Sequence, residues 1–175
     1  MADPKQAIQI TLGHEGGFQD DPGDPGNWTG GAPNVGELNG TKFGISAHEF
    51  PDLDIKNLTE DQAIQAYING RPPQVPPYWN PLYSKITNQV EANKIFDLGF
   101  LFGPGTVIKY AQGLLKLVED GVFGPHTLAA LNAADVSTFL SAFKTVLVSH
   151  AIGVANARPA ERKDLAGWIT RINAA

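Results

Sequence analysis

The sequence predicts a mainly α protein with a small β region near its N-terminus, and two observations lead to this fold class. From Asn88 onwards, helix-starting residues recur, each followed by apolar residues at helical spacing. Residues 18–46 are instead rich in Gly, Pro, Asn and Asp, with only short β-prone fragments such as TKFGI at 41–45. We therefore expect a loop with a small hairpin near the N-terminus and a series of helices after it.

The first helix is predicted to begin at Asp3-Pro4, because Asp is a favourable N-cap and Pro is favourable at the first helical position. One face of this helix carries Ala7, Ile8, Thr11 and Leu12. Gly16-Gly17 is predicted to end the helix, since Gly is the usual residue just past a helix C-terminus. Glu15 should therefore lie on the last turn or just beyond it.

The later elements follow from caps and prolines. Thr59 and Gln62 have the spacing of a capping box, which predicts a helix that continues to about Asn69. RPPQVPP at 71–77 is predicted to be an extended loop, because its prolines are incompatible with a helix or a central strand. Further helices are predicted over 88–102, 104–118, 125–133, 136–157 and 159–174.

The composition is that of a globular domain and argues against several partners. The 175 residues are 42% hydrophobic and 18% charged, and one domain is expected at this length. The net charge of −5, without a run of Lys and Arg, gives nucleic-acid binding little electrostatic support. Because there is no Cys, disulfides and thiolate metal sites are excluded. We also expect no metal and no cofactor.

We expect neither membrane insertion nor a secretory leader. The longest apolar stretches, near 98–102 and 146–155, are shorter than a membrane span requires. The N-terminus has no basic stretch followed by an apolar core of signal-peptide length. Synthesis in the cytosol is therefore expected, with release by another component if the protein acts outside. We also expect a monomer.

Glu15 is the candidate general acid of the chain. The partial negative charge at a helix C-terminus disfavours its ionised form, and a neighbouring apolar side chain such as Phe18 acts in the same direction. A carboxyl group held protonated near neutral pH is the acid that glycoside cleavage requires. A Glu before Gly-Gly is also an ordinary solvated helix end, so the residues alone leave both interpretations open.

The remaining roles in such a reaction have candidates in the loop and beyond it. Carboxylates that could stabilise positive charge or activate water are, in order of preference, Asp24, Asp20 and Asp21. A hydroxyl that can position water is available at Thr29. Flat surfaces for sugar rings are available at Trp28, Tyr78 and Trp79. The alternatives are ordinary turn chemistry for the aspartates and core packing for Trp79.

Several short motifs occur along the chain in a specific order. In the first half these are HEGGFQDDPGDPGN at 14–27, TKFGIS at 41–46 and YWNPL at 78–82. In the second half they are FDLGFLFGPG at 96–105, DGVFGPHTLAAL at 120–131 and GWITR at 167–171. The first set resembles the glycoside hydrolases of family 108, which are N-acetylmuramidases of phages and bacteria. The second set resembles the peptidoglycan-binding segment that usually follows in that family.

The resemblance implies a lysozyme-like α fold that cleaves the β-1,4 bond between N-acetylmuramic acid and N-acetylglucosamine. Glu15 matches the catalytic acid of the family. Residues 28–40 are an insertion relative to the shorter family loop. The family's Thr therefore corresponds either to Thr29, by its spacing from Asp24, or to Thr41, by its Thr-x-aromatic-Gly-Ile context. We favour Thr41.

For the whole chain we expect a single lysozyme-like globule over 1–175. Residues 1–91 would form the catalytic segment and 92–175 the peptidoglycan-binding segment, in which Asp120 and Thr127 either contact the wall or belong to a structural turn. The implied protein is a muramidase such as a phage endolysin, made in the host cytoplasm and released to the periplasmic wall. A lytic transglycosylase, a non-catalytic wall-binding protein and a bacterial secretion or toxin muramidase are the alternatives.

Overall fold

The computed structural model, which describes residues 1–174, has seven α-helices and one two-stranded antiparallel sheet. The predicted mainly α class with a small hairpin near the N-terminus is confirmed. The described chain divides into an N-terminal unit, Pro4–Asn80, and a C-terminal unit, which joins Met1–Asp3 to the residues from Pro81 onwards. The single globule with a boundary at residue 91 stays a prediction.

The N-terminal unit contains two helices and the hairpin. Helix α1 spans Pro4–His14 and helix α2 spans Glu60–Asn69, and the two pack against each other. Strand β1, Thr41–Lys42, pairs with strand β2, Ile45–Ser46. A single 3-10 turn, Pro25–Asn27, lies in the loop between α1 and β1. The elements therefore leave most of residues 15–58 to loops.

Helix α1 ends at His14, two residues before the predicted Gly16-Gly17 stop. The Glu15 N–H donates to the Leu12 carbonyl at 3.2 Å, a bond three residues back that tightens the end of the helix. Neither Gly16 nor Gly17 has a positive φ, so neither serves as a left-handed cap. Glu15 lies just beyond the helix, as predicted.

Helix α2 begins as its capping box predicts. The Thr59 hydroxyl accepts from the Gln62 N–H at 3.3 Å, and the Gln62 side chain accepts from the Thr59 N–H at 2.9 Å. Near its end, the fully buried Tyr67 donates its hydroxyl hydrogen to the Phe43 carbonyl at 3.0 Å. Phe43 has a positive φ of 55°, so this bond holds the strained turn of the hairpin against α2.

The proline-rich segment 71–77 is a closed turn and not simply an extended loop. The Arg71 N–H donates to the Val75 carbonyl at 2.7 Å, and the Val75 N–H donates back to the Arg71 carbonyl at 2.9 Å. The Arg71 Nε also donates to the Glu49 carbonyl at 2.6 Å. These bonds use Arg71 and Val75, because the nitrogens of the prolines themselves cannot donate.

The C-terminal unit contains five α-helices and two 3-10 segments, Pro81–Lys85 and Pro159–Asp164. The helices are α3 Gln89–Phe102, α4 Pro104–Leu114, α5 Pro125–Ala133, α6 Val136–Ala157 and α7 Leu165–Asn173. The predicted last helix is split, because residues Pro159–Asp164 form a 3-10 helix before α7. The predicted bounds of α5 and α6 are confirmed.

Helix α4 ends four residues earlier than predicted because the chain turns at Lys116. Lys116 has a φ of 59°, its N–H donates to the Gly113 carbonyl at 3.1 Å, and the Leu117 N–H donates to the Gln112 carbonyl at 2.9 Å. This pair of bonds is a Schellman motif. A non-glycine residue at its left-handed position leaves no sequence signal for the stop.

A buried ion pair joins α3 to α7 in the C-terminal unit. Asp97 is 1% exposed, and its Oδ1 lies 2.8 Å from the Arg171 Nη2 and 3.1 Å from the Arg171 Nε. The Lys94 Nζ donates to the Arg171 carbonyl at 3.0 Å. Burial lowers the pKa of Lys94, although Asp97 opposes that shift. Charged groups thus lie inside this unit where they have partners.

Among the described helices, α6 alone is long and apolar enough to cross a membrane by length and composition. Its core-facing side carries Phe139, Phe143, Leu147, Ala151 and Ala155. This spacing of four residues is the buried stripe of an amphipathic helix. The expectation that the chain does not enter a membrane stays a prediction.

Among the described residues, Glu91 departs from this pairing of buried charges. It lies in the first turn of α3, is 1% exposed, and its Oε1 has no hydrogen-bond partner within residues 1–174. Burial raises the pKa of the Glu91 carboxyl from 4.5 to about 7. The folded state therefore favours the protonated carboxyl.

We predict that Glu91 makes the fold less stable as the pH rises. Because its folded-state pKa lies above its unfolded value, the penalty is absent below about pH 4.5 and complete above about pH 7. Glu91→Gln should remove this dependence. Urea titrations should show that the free energy of unfolding of the variant rises, relative to that of wild type, by about 3 kcal/mol between pH 4 and pH 8.

Glu119→Gln, which changes an exposed carboxylate of the same unit, is the matched control and should show no such rise. A Glu91→Gln protein whose stability follows wild type at every pH would contradict the assignment.

Candidate functional site

The segment that follows α1 leaves open space beside Glu15. Glu15 is half-buried, and Gly16 and Gly17 are exposed. A Cβ added at either glycine would meet no heavy atom within 4 Å. The Gly16 carbonyl accepts from the Phe43 N–H at 3.3 Å, which ties this segment to the hairpin. The carboxyl group of Glu15 thus follows a helix end, next to backbone that a ligand can approach.

Asn27 is the centre of the loop between α1 and β1. It is fully buried, and its Nδ2 donates to the Gln19 Oε1 at 2.8 Å and to the Asp21 carbonyl at 2.9 Å. Its Oδ1 accepts from the Thr41 hydroxyl at 2.7 Å and from the Gln19 Nε2 at 3.1 Å. We call Gln19, Asp24, Asn27 and Thr41 the Asn27 cluster.

Asp24 joins this cluster through Gln19. Its Oδ2 accepts from the Gln19 Nε2 at 3.2 Å, and its Oδ1 accepts from the Gly26 N–H at 2.9 Å. Asp24 is therefore the N-cap of the 3-10 turn that contains Asn27.

The other two aspartates of the loop are exposed. Asp21 caps its own turn, since its Oδ1 accepts from the Gly23 N–H at 2.8 Å. Asp20 is exposed between Gln19 and Asp21. Of the three aspartate side chains, the one that hydrogen bonds among the described residues connect to Thr41 is therefore that of Asp24, through Gln19 and Asn27.

The two candidate threonines occupy different parts of the loop. Thr41 pairs with Gln19 through two backbone bonds of 2.8 and 2.9 Å, which places it beside the segment that begins at Glu15. Thr29 instead exchanges bonds with Glu37: its N–H donates to the Glu37 carbonyl and its hydroxyl accepts from the Glu37 N–H, both at 2.9 Å. Thr29 therefore belongs to the base of the insertion.

Residues 28–40, which are interpreted from the sequence as an insertion, form an arm. Trp28 bridges to Leu38 in antiparallel fashion, so the arm leaves and returns at the same place. The Asn27 carbonyl accepts from the N–H groups of Asn39 and Gly40 at 2.9 and 3.0 Å. The indole Nε1 of Trp28 donates to the Pro22 carbonyl at 3.0 Å, which fixes its half-buried ring against the loop.

Tyr78 and Trp79 are both held by Tyr67. Their backbone N–H groups donate to the Tyr67 carbonyl at 3.0 and 3.1 Å, and the Tyr78 ring meets the Tyr67 ring edge-on at 5.0 Å. Burial and the nearby Glu49 carboxylate raise the pKa of the Tyr78 hydroxyl, which therefore stays protonated. Trp79 is only 3% exposed, so its ring presents almost no surface to a sugar in this conformation.

Asp120 and Thr127, the candidates from the C-terminal unit, surround the buried Gln112. The Gln112 Nε2 donates to the Asp120 Oδ1 at 2.7 Å and to the Thr127 Oγ1 at 3.1 Å. The Val122 N–H and Gln112 hold the pKa of Asp120 below its ordinary value. The geometry thus gives both residues a role in the turn between α4 and α5. Their predicted contact with the wall stays a prediction.

Sequence reasoning missed Gln19 and Asn27. Asn in a Gly- and Pro-rich stretch is typical of an exposed turn, whereas Asn27 is fully buried and bonds to residues 39–41, where the arm returns. The sequence signal nearest to Asn27 was the Thr-x-aromatic-Gly-Ile motif, which identified Thr41, the residue whose hydroxyl donates to the Asn27 side chain.

Comparison with known proteins identifies the N-terminal part of the chain. The sequence model of the glycosyl hydrolase 108 family matches residues 8–103. This range includes the Asn27 cluster and Glu15, but neither Asp120 nor Thr127. No curated protein matches the sequence.

A solved structure, that of SagA from Brucella abortus, has a similar fold. The TM-score is 0.61 at 20% sequence identity, over 97% of this chain and 92% of that chain. At this identity the similarity establishes the fold alone, and it confirms the lysozyme-like class.

We predict that Gly40 is essential to the loop, whereas Gly17 is dispensable for folding. Gly40 has a φ of 81°, and an added Cβ would lie 2.5 Å from the Phe18 ring and 2.6 Å from the Gln19 carbonyl oxygen. Gly40→Ala should lower the free energy of unfolding by about 2–4 kcal/mol. Gly17→Ala should change it by less than about 0.5 kcal/mol. Urea denaturation of both variants checks this, and equal stabilities would contradict it.

Proposed function

The chain belongs to the glycosyl hydrolase 108 family, and from this membership we propose that it is an N-acetylmuramidase. Members of this family act on peptidoglycan as glycoside hydrolases. The bond that we propose is the β-1,4 bond between N-acetylmuramic acid and N-acetylglucosamine. The observation that supports it best is the position of Glu15, just beyond the end of α1 and beside open glycine backbone.

Glu15 is the general acid in this proposal. Glycoside cleavage requires a proton for the leaving oxygen and stabilisation of an oxocarbenium-like sugar. The exposed Gly16 and Gly17 leave room for a glycan strand to reach that carboxyl.

The Asn27 cluster supplies the other groups. Asp24, which Gln19 and the Gly26 N–H hold in place, is the carboxylate that stabilises positive charge. Thr41, whose hydroxyl hydrogen is bonded to the Asn27 Oδ1, positions the attacking water. The partly exposed rings of Trp28 and Tyr78 are the sugar-contacting surfaces, since aromatic rings bind the apolar faces of sugars.

A lytic transglycosylase is the second candidate, and a specific observation favours it. Both oxygens of Asp24 already accept hydrogen bonds, as an N-cap does. If those bonds are the whole function of Asp24, Glu15 is the single acid of the reaction and the product has an anhydro end.

Action as a phage endolysin, which reaches the periplasmic wall after release, is the setting that we propose. Neighbouring holin and spanin genes would support it, and neighbouring secretion genes would support a bacterial muramidase instead.

We predict that Glu15→Gln abolishes wall lysis while the fold is kept. The change preserves shape and removes the proton donor, and a positioned acid contributes roughly 10²–10⁴-fold to the rate. The decrease in turbidity of permeabilised cells measures it. Glu37→Gln, an exposed carboxylate on the inserted arm, is the matched control and should lyse like wild type. Lysis by Glu15→Gln at a near wild-type rate would refute the proposed function.

We also predict that Thr41, and not Thr29, contributes to the rate. Thr41→Val removes the hydroxyl that donates to Asn27 and should reduce the rate at least about tenfold, whereas Thr41→Ser should keep most of it. Thr29→Val loses only a bond within the arm and should stay within about threefold of wild type. Rates measured on purified peptidoglycan decide between the two residues, and the opposite ranking would overturn our choice.

A further inference from the structure

We propose that Asn27 is a positioning residue for the reaction, acting through Thr41 and Asp24. This inference rests on the proposed function, because it assigns a purpose to the order of the loop that follows Glu15. Asn27 itself is fully buried and is not expected to touch substrate. What it determines is the direction of two other side chains.

The amide of Asn27 has one allowed orientation. Its two N–H bonds go to the Gln19 Oε1 and to the Asp21 carbonyl, and its oxygen accepts from Thr41 and Gln19. A flipped amide would place its oxygen against the Asp21 carbonyl, which can only accept. The polar capacity of the side chain is therefore filled, and its oxygen must point at Thr41.

This orientation determines what the Thr41 hydroxyl can do. A hydroxyl has one hydrogen to donate and two lone pairs that accept. At 2.7 Å from the Asn27 Oδ1, the Thr41 hydrogen is already used. Thr41 can thus only accept from a water or a sugar hydroxyl. A water that donates a hydrogen to Thr41 keeps a lone pair free for attack on the sugar carbon.

The same residue determines the position of Asp24 through Gln19. The Gln19 Oε1 accepts from the Asn27 Nδ2 and from the Asp21 N–H at 3.0 Å, so the Gln19 amide also has one orientation. Its Nε2 then points at both the Asn27 Oδ1 and the Asp24 Oδ2. Asp24 and Thr41 are thus linked through one buried amide.

The backbone of Asn27 separates the arm from these side chains. The arm begins at Trp28, the residue that follows Asn27. It returns at Asn39 and Gly40, whose N–H groups donate to the Asn27 carbonyl. The arm can therefore differ in length without moving Thr41. This explains how a loop with an inserted arm keeps the order of the Asn27 cluster.

The test compares Asn27→Ala and Gln19→Ala with Asn39→Ala. Asn39 is a matched control because its Nδ2 donates to the Leu53 carbonyl, away from the Asn27 cluster. On soluble peptidoglycan fragments, Asn27→Ala and Gln19→Ala should lower kcat by about tenfold to a hundredfold, with KM within about threefold of wild type. Asn39→Ala should keep both constants. Thermal unfolding ensures that all rates are measured on folded protein.

Coupling to Thr41 distinguishes positioning from general support of the fold. In a Thr41→Val background, Asn27→Ala should lower kcat by clearly less than it does in the wild-type background, because one of its two targets is already gone. An equal loss in both backgrounds would overturn the proposal, and so would an unchanged kcat in Asn27→Ala. If Asn27→Ala does not fold, the exposed Gln19 decides: wild-type kcat in Gln19→Ala would overturn it.

Failure of this inference is distinguishable from failure of the proposed function. If Glu15→Gln is inactive while Asn27→Ala and Gln19→Ala turn over normally, the function stands and the positioning role is wrong. If Glu15→Gln stays active, the proposed function is wrong whatever the Asn27 variants show.

Discussion

The loop that follows α1 depends on the burial of one uncharged amide. Residues 15–58 have little regular structure, so their backbone and side chains must find partners elsewhere. Asn27 provides several of these partners from one position: its side chain bonds to Gln19, Asp21 and Thr41, and its carbonyl bonds to both residues at which the arm returns. An amide can do this without the desolvation cost of a buried charge. The groups around Glu15 can thus be ordered although few of them lie in helices or strands.

The parts of the fold that were predicted correctly are those in which the signal is local. The capping box of Thr59 and Gln62 and the prolines that begin α4 and α5 act within one helical turn. The errors occurred where a long-range or unusual backbone feature decides. Helix α4 stops at a Schellman turn whose left-handed residue is Lys116, which no glycine announces.

The residues of the candidate site likewise divide into those with a local sequence signal and those whose environment depends on distant residues. Glu15 could be found from its place before Gly16-Gly17, because a helix end is a local feature. Asn27 could not, because its environment is formed by residues that follow an arm of about ten residues. Trp79 was a candidate that the structure does not support in this conformation. Its position next to Tyr78 suggests a surface for a sugar ring, but its side chain is buried. Asp120 and Thr127 likewise resemble ligand contacts in the sequence, yet both bond to the buried Gln112.

We propose that this ordered loop activates water against a bond of the glycan strand, with Glu15 as the acid. Mass spectrometry of fragments released from purified peptidoglycan in ¹⁸O-labelled water tests it most directly. We expect fragments with a reducing N-acetylmuramic acid end that carries one ¹⁸O atom. Anhydro ends without the label would show a transglycosylase, and labelled N-acetylglucosamine ends would show cleavage of the other bond. Either result would contradict the account.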